Sequence, residues 1–123
     1  MSDNLLELKI NSSTLAHEAH GLKVQGELDI NTSPQLRTAI DQAVAAGHHL
    51  LVVDFTEVPY IDSTGLGVLV SRRKVVNELK GHLVIISNNP HIHKIFDITG
   101  LNRLFPMYRT EEEFVKTWQP PAP

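Results

Sequence analysis

The residues with the clearest capacity for chemistry lie in one short stretch, residues 60–67, where an apolar segment gives way to a helical pattern. Ser63 supplies a hydroxyl group, and Asp62 beside it is a residue type that often caps helices. Gly65 and Gly67 keep side chains from crowding that hydroxyl. Because the amides of a first helical turn point outward and attract anions, this stretch presents a hydroxyl in an anion-friendly position.

Two interpretations of this stretch remain open from spacing alone. In the first, Asp62 and Ser63 only cap a helix, and the glycines allow tight packing against a sheet. In the second, something must approach the backbone, since each glycine costs about 1 kcal/mol relative to alanine inside a helix. Gly65 and Gly67 together favour the second interpretation.

Two other functions, a serine hydrolase and a phosphate-accepting receiver domain, have less support in the sequence. A hydrolase would use Ser63 as nucleophile with one of the seven histidines as base, but Ile61 stands where its sharp turn requires glycine, although Gly65 matches. A receiver domain would accept phosphate on Asp54, but no acidic pair follows the first strand and residues 87–90 lack the expected lysine. We therefore expect a protein without catalytic activity.

Metal and cofactor chemistry also has little support. The absence of cysteine excludes disulfides, thiolate metal sites and cysteine nucleophiles. His48 and His49 are adjacent, so their side chains face apart, and His91 and His93 would lie about 200° apart on a helix. We expect loop or helix-end histidines in contact with solvent, no metal and no cofactor.

The composition limits the classes of partner. The net charge of −3 and the pI near 6.1 argue against general attraction to nucleic acids. Arg72, Arg73 and Lys74 form the one basic cluster, which is typical of a solvated helix face. Apolar runs are much shorter than the roughly 20 residues that a membrane span requires, and the first residues do not resemble a signal peptide. The sequence favours a cytoplasmic location.

The order of elements predicts an α/β fold. Alternating or continuous apolar residues predict strands over residues 5–10, 22–28, 50–55 and 83–86, with short candidates at 15–19 and 104–108 and a turn at 11–13. Capping residues predict helices that begin at Thr32 or Ser33 before Pro34, at residues 62–65, at Asn89-Pro90 and at Thr110, where Glu113 completes a capping box. Gly47, Gly81 and Gly100 are the expected ends of the first three helices.

These elements predict one domain over residues 1–118, followed by a proline-rich tail at 119–123. The expected architecture is a mixed sheet of four to five strands, with about four helices packed mainly on one face.

Three segments together resemble a known family. Val53-Asp54-Phe55 and then Ile61-Asp62-Ser63-Thr64-Gly65-Leu66-Gly67 are similar to the signature of STAS domains, named for sulfate transporters and anti-sigma factor antagonists. Residues 24–29 resemble the N-terminal strand of the family, and residues 99–105 resemble its late helix and turn. The resemblance spans most of the chain and implies a single STAS-like domain.

For the antagonists of this family, the resemblance implies a phosphorylation switch. The serine after the aspartate, here Ser63, is phosphorylated by an ATP-dependent serine kinase that is itself the anti-sigma factor. The resemblance places Asp29, at the end of the N-terminal strand, beside that serine. Thr64 stands where relatives often have a second serine. The expected surroundings of the phosphosite, which also bind the partner, are Asp29, Asp62, Thr64, Gly65 and Glu27.

The resemblance also implies the partners. The unphosphorylated protein would sequester the kinase and free a sigma factor, and a metal-dependent serine/threonine phosphatase would restore that state. The protein would be a monomer or a weak dimer and would not bind nucleic acid directly. An alternative within the same fold stays open, namely a scaffold or adaptor subunit of a stress-signalling or transporter-associated complex.

Overall fold

The sheet contains five strands in the order β1-β2-β3-β4-β5, in a computed structural model that describes residues 7–120. The strands are β1 (Lys9–Thr14), β2 (His20–Gln25), β3 (Leu50–Glu57), β4 (His82–Ile86) and β5 (Met107–Tyr108). The helices are α1 (Ser33–Ala45), α2 (Ser63–Glu78), α3 (Pro90–Thr99) and α4 (Glu111–Thr117), with short 3₁₀ helices at Ala16–Glu18 and Leu101–Arg103. β1 is antiparallel to β2, whereas β2, β3, β4 and β5 run parallel. The predicted mixed sheet is confirmed.

The strand β3 lies at the centre of the sheet and is covered on both faces. Leu51 and Val53 belong to the larger core cluster, which contains the buried apolar side chains of α1, α2 and α3. Val52 points the other way and packs in a second cluster with Phe114 and Trp118. Three helices thus cover one face and α4 covers the other, which agrees with helices packed mainly on one side.

The start of the chain differs from the sequence prediction. Asn11, Ser12 and Ser13, where we expected a turn, are part of β1 and pair with β2. The expected strand at 15–19 is instead a 3₁₀ turn in which His17 and Glu18 have positive φ angles of 64° and 58°. An edge strand can pair through its backbone without alternating apolar side chains. The polar residues 11–13 therefore gave no strand pattern in the sequence, although they belong to β1. Residues 5 and 6 of the predicted first strand, and 121–123 of the predicted tail, lie outside the described residues.

Side chains cap three of the four helices as the sequence predicts. Asp62 accepts a hydrogen bond from the Gly65 amide at the start of α2, and Asn89 accepts one from the His91 amide at the start of α3. At α4 half of the predicted capping box is present: Thr110 accepts from the Glu113 amide, but the Glu113 carboxylate accepts from the amide of Arg109, one residue before the cap. These bonds satisfy amides that a helix leaves unpaired.

Two predicted helix ends need correction. Thr32 precedes α1 but makes no side-chain capping bond, because its hydroxyl donates to the carbonyl of Glu27. At the end of α2 it is Lys80, with φ of 62°, that takes the left-handed conformation expected of Gly81. Gly81 donates to the carbonyl of Val76, and Lys80 donates to Asn77, which is a Schellman arrangement. A Cβ on Gly81 would lie 2.3 Å from the carbonyl oxygen of His49, so the glycine is needed for close approach.

Candidate functional site

Ser63 lies at the first position of α2, beyond the carboxyl end of β3. Its side chain and that of Thr64 are exposed, whereas Asp62 is half-buried. The Asp62 carboxylate accepts from the Gly65 amide at 2.9 Å, and its backbone carbonyl accepts from Leu66 at 3.0 Å. The cap therefore fixes the helix start and leaves the two hydroxyl groups facing solvent.

Two backbone donors at this helix start are free. The amides of Ser63 and Thr64 belong to the first turn of α2, where the helix offers no carbonyl four residues earlier to accept their hydrogen bonds. Within residues 7–120 neither amide donates to another acceptor. Together with the helix dipole, these donors favour an anion attached near Ser63.

A short bridge brings Asp29 to the same place. Leu28 pairs with Ile61 in a parallel bridge outside the named strands. The Leu28 amide donates to the carbonyl of Tyr60 at 2.9 Å, and the Asp62 amide donates to the carbonyl of Leu28 at 3.0 Å. Asp29 and Asp62 follow directly after the two bridged residues, so both carboxylates lie at one end of the sheet.

The loop that carries Asp29 is held by its own hydrogen bonds. One carboxylate oxygen of Asp29 accepts from the amides of Asn31 and Thr32, at 2.8 and 3.1 Å. The buried hydroxyl of Thr32 accepts from the Asp29 amide and donates to the carbonyl of Glu27. The side chain of Glu27 is exposed. The carboxylate of Asp29 is thus fixed by a turn and does not swing freely.

The two glycines of α2 have different environments. A Cβ on Gly65 would lie 2.7 and 2.9 Å from side-chain atoms of Leu28 and 3.1 Å from Ile61. Gly65 is buried and serves packing, so the interpretation that it keeps the backbone approachable is wrong for this residue. A Cβ on Gly67 would meet nothing within 4 Å. Only Gly67 leaves open space on the exposed side of the helix.

The site carries uncompensated negative charge. In the part of the chain that the structure describes, neither Asp29 nor Asp62 forms an ion pair, and the three ion pairs found lie elsewhere. The bridge brings Asp29 to the helix start that carries Asp62, Ser63, Thr64 and Gly65, whereas Glu27 lies one residue before the bridge with an exposed side chain.

Two large apolar side chains next to the site were not predicted. Ile30 is 68% exposed and directly follows Asp29, and Tyr60 is 44% exposed and directly precedes Ile61. Exposed apolar groups near a functional site are typical of protein contacts. Ile30 could have been noticed in the sequence as an isoleucine in a polar loop, which indicates an exposed apolar side chain. The sequence alone does not place it beside Ser63.

Other site chemistries find no support among residues 7–120. No histidine there forms a hydrogen bond with Ser63, and no group of three or more possible ligands could hold a metal ion. No helix of these residues has the length and apolar character for a membrane span.

Comparison with known proteins shows strong sequence similarity. The STAS domain model matches residues 14–114. An anti-sigma-B factor antagonist of Staphylococcus epidermidis is 37% identical over 98 residues, which cover 79% of this chain and 91% of that protein. An anti-sigma F factor antagonist of Paenibacillus polymyxa is 32% identical over 91 residues, or 73% of this chain and 78% of that protein.

Solved structures agree with this similarity. A crystal structure of an anti-sigma factor antagonist from Mycobacterium paratuberculosis superposes with a TM-score of 0.77 and 26% identity, over 89% of this chain and 95% of that one. The phosphorylated form of the Bacillus cell fate determinant SpoIIAA superposes with a TM-score of 0.68 and 25% identity, over 88% and 97%. From the matched residues, the strand order and the helix start at Asp62-Ser63, the chain belongs to the STAS domain family.

Proposed function

We propose that this chain is an anti-sigma factor antagonist that works as a phosphorylation-controlled binding switch, with Ser63 as the phosphate acceptor. The observation that carries the proposal is the exposed Ser63 hydroxyl at a helix start with two free amides, beside Asp29 and Asp62. The relatives named as anti-sigma factor antagonists, and the phosphorylated form of one structural neighbour, support it.

The unphosphorylated chain binds an anti-sigma factor that is an ATP-dependent serine kinase, and this binding frees a sigma factor for transcription. The kinase phosphorylates Ser63 and the complex separates. A metal-dependent serine/threonine phosphatase restores the binding form. The chain acts in the cytoplasm as a monomer or weak dimer, and it acts by binding rather than by catalysis.

The physical basis of the switch is local charge. A phosphate on Ser63 adds about −1.5 to −2 charge and three acceptor oxygens. The free amides of α2 stabilise that charge, while the nearby carboxylates of Asp29 and Asp62 oppose it. Since Ser63 is exposed, no core contact is lost. The fold therefore persists and the surface potential changes.

A partner surface fitted to the neutral hydroxyl would detect this change. Ile30, which follows Asp29, and Tyr60, two residues before Asp62, supply exposed apolar contact area. A docked partner would exclude water from Ser63, and an unpaired charge in such an interface costs several kcal/mol. Because about 1.4 kcal/mol corresponds to a tenfold change in affinity, one phosphate can weaken partner binding enough to dissociate the complex.

Mass spectrometry after incubation with ATP and the cognate kinase tests the acceptor. We expect one added phosphate on the wild type and on Thr64→Ala, and none on Ser63→Ala. Thr64→Ala is the matched control, because it removes the neighbouring exposed hydroxyl. Undiminished labelling of Ser63→Ala would contradict the assignment of the acceptor.

A charge-mimicking variant tests the switch itself. Ser63→Asp should bind the kinase at least tenfold more weakly than wild type in calorimetry, with an unchanged circular dichroism spectrum. Asn11→Asp adds the same charge on the exposed edge strand β1 and should bind like wild type. Equal binding by Ser63→Asp and wild type would show that charge at this helix start does not control docking.

A further inference from the structure

A groove lies toward the C-terminal end of α2, at the opposite end of the helix from Ser63. It has a volume of about 680 Å³ and runs between the second half of α2, the start of β4 and residues 102–106. The helix has 16 residues, so its two ends are about 24 Å apart at 1.5 Å per residue. Ser63 is at one end, whereas Asn77, Lys80 and Gly81 line the groove at or just beyond the other. The groove is therefore separate from the proposed phosphorylation site.

The groove concentrates positive charge in an acidic protein. The chain has 11 lysines and arginines and a net charge of −3, yet Arg73, Lys80 and Arg103 all line this one groove, together with His82. Among its described lining residues there is no aspartate or glutamate. A concave surface of one sign of charge raises the local concentration of oppositely charged ligands.

Arg73 is positioned for an anion. It is half-buried, and its Nε donates to the backbone carbonyl of Leu104, which fixes the plane of the guanidinium group. Within residues 7–120 its two terminal nitrogens make no hydrogen bond and no ion pair. A fixed guanidinium with free terminal donors matches the two oxygens of a phosphate group.

The other cations of the groove are also available. Lys80 and Arg103 are exposed, and neither forms an ion pair with any residue from 7 to 120. Asn102 donates to the carboxylate of Asp97 at 3.0 Å, and Glu78 lines an adjoining depression together with Arg73 and Asn77, so two acids lie just outside the lining. These two carboxylates offset only part of the charge of the three cations.

The basic cluster seen in the sequence separates into three different roles. Arg72 forms an ion pair with Asp41 at 2.6 Å, and Lys74 is exposed on α2 outside this groove. Only Arg73 of the three enters the groove. The cluster is thus not merely a solvated helix face, and Lys74 provides a neighbouring cation outside the groove for comparison.

We propose that this groove binds a small anion with a diphosphate group. Its volume falls in the range of about 300–1,000 Å³ that small-molecule sites occupy and exceeds what one inorganic phosphate fills. Three cations with one fixed guanidinium suit a ligand with several negative charges. Free pyrophosphate and the diphosphate of a nucleotide share this chemistry.

Titration with pyrophosphate, ADP and orthophosphate, followed by amide NMR and calorimetry, tests this site. We expect saturable binding of pyrophosphate and ADP, weaker binding of orthophosphate, and the largest shifts at Asn77, Gly81 and Asn102. Equal affinity for pyrophosphate and ADP would show that the diphosphate alone is recognised. Tighter binding of ADP would show that the nucleoside part also contacts the groove.

Variants decide whether the groove is the site. Arg103→Gln removes an exposed side chain and should keep the fold, while weakening pyrophosphate binding at least tenfold; Arg73→Gln should do the same. Lys74→Gln makes the same change of charge and should alter the affinity less than twofold. The proposal is overturned if none of the three anions binds saturably, or if Lys74→Gln weakens binding as much as Arg103→Gln.

Discussion

At the scale of single residues, Gly65 connects packing with the site. The Leu28–Ile61 bridge carries Asp29 and Asp62, and α2 rests on both bridged residues at Gly65, where a Cβ would overlap Leu28. Leu28 is fully buried, so its side chain can yield only by displacing its neighbours in a close-packed core. The glycine therefore sets how closely the Asp29 loop approaches the start of the helix.

Alanine substitutions should separate the two glycines. Gly65→Ala should destabilise the protein by about 1–3 kcal/mol, the usual cost of overpacking a core. Gly67→Ala fills open space within a helix and should stabilise it by up to about 1 kcal/mol. Urea unfolding followed by far-UV circular dichroism measures both. Equal effects of the two substitutions would show that the contact with Leu28 is not tight.

Asp62 combines a cap with a charge, and substitutions can separate them. Asp62→Ala removes the acceptor for the Gly65 amide and should cost about 1 kcal/mol of unfolding free energy. Asp62→Asn keeps an acceptor, and asparagine caps helices as well as aspartate does, so its stability should stay close to wild type. A loss with Asp62→Asn as large as with Asp62→Ala, in urea unfolding, would mean that the charge and not the cap stabilises α2.

At the scale of elements, the sequence is most informative where side chains define a helix start. Asp62, Asn89 and Thr110 each bond a backbone amide of their own helix, so the signal is local and can be read from a few residues. The end of α2 shows the limit of such local signals: Lys80 is left-handed, and the next residue, Gly81, lies close to the carbonyl of His49. That approach depends on where β3 lies, which no local pattern records.

The same distinction applies to the site. Asp62, Ser63, Thr64 and Gly65 are contiguous, so a helix start with a hydroxyl group could be predicted from spacing. Asp29 lies far from Ser63 in sequence, and only the family resemblance indicated its proximity. The exposed side chains of Ile30 and Tyr60, and the convergence of Arg73 with Arg103, depend on tertiary packing and were not predicted.

The helix α4 should contribute to stability without shaping the site. Phe114 is fully buried on the face of the sheet opposite α2, with its ring 5.6 Å from Tyr108 and 5.8 Å from Trp118. Phe114→Ala should cost about 3–5 kcal/mol, a large part of the 5–15 kcal/mol typical of a domain. Val115→Ala, at a half-buried neighbour, should cost less.

Kinase binding provides the second measurement for α4. At a temperature where Phe114→Ala is still folded by circular dichroism, it should bind the kinase with wild-type affinity, because Ser63 and Asp29 are positioned by the other face of the sheet. A tenfold loss of affinity in the folded variant would show that α4 takes part in docking.

At the scale of the whole molecule, the two ends of the parallel strands differ in chemistry. The carboxyl ends of β2 and β3 lead to Asp29 and Ser63. At the amino ends, His20 begins β2 and His82 begins β4, while His48 lies just before β3. The rings of His20 and His48 stack with centroids 4.0 Å apart and planes 17° apart. The acidic groups after β2 and β3 and the stacked histidine pair thus lie at opposite ends of the sheet.

This stacked pair makes stability depend on pH in a definite direction. Partial burial, and then the nearby His48, lower the pKa of His20 below its ordinary value of 6.5. The groove beside the pair, between β1, β2 and α1, is lined in the described chain by uncharged groups such as Ser12 and Gln42, with no carboxylate. No counter-charge there favours the imidazolium form.

The unfolded chain therefore binds a proton at His20 near pH 6.5, whereas the folded chain does so only at lower pH. Stability from this residue is complete above pH 6.5 and is lost as the pH falls toward the lower folded pKa. His20→Gln should flatten the dependence of unfolding free energy on pH between about 7.5 and 5.5, measured by urea unfolding. His91→Gln, at an exposed position of α3, should keep the wild-type slope. An unchanged slope in His20→Gln would show that the stacked pair does not couple folding to protonation.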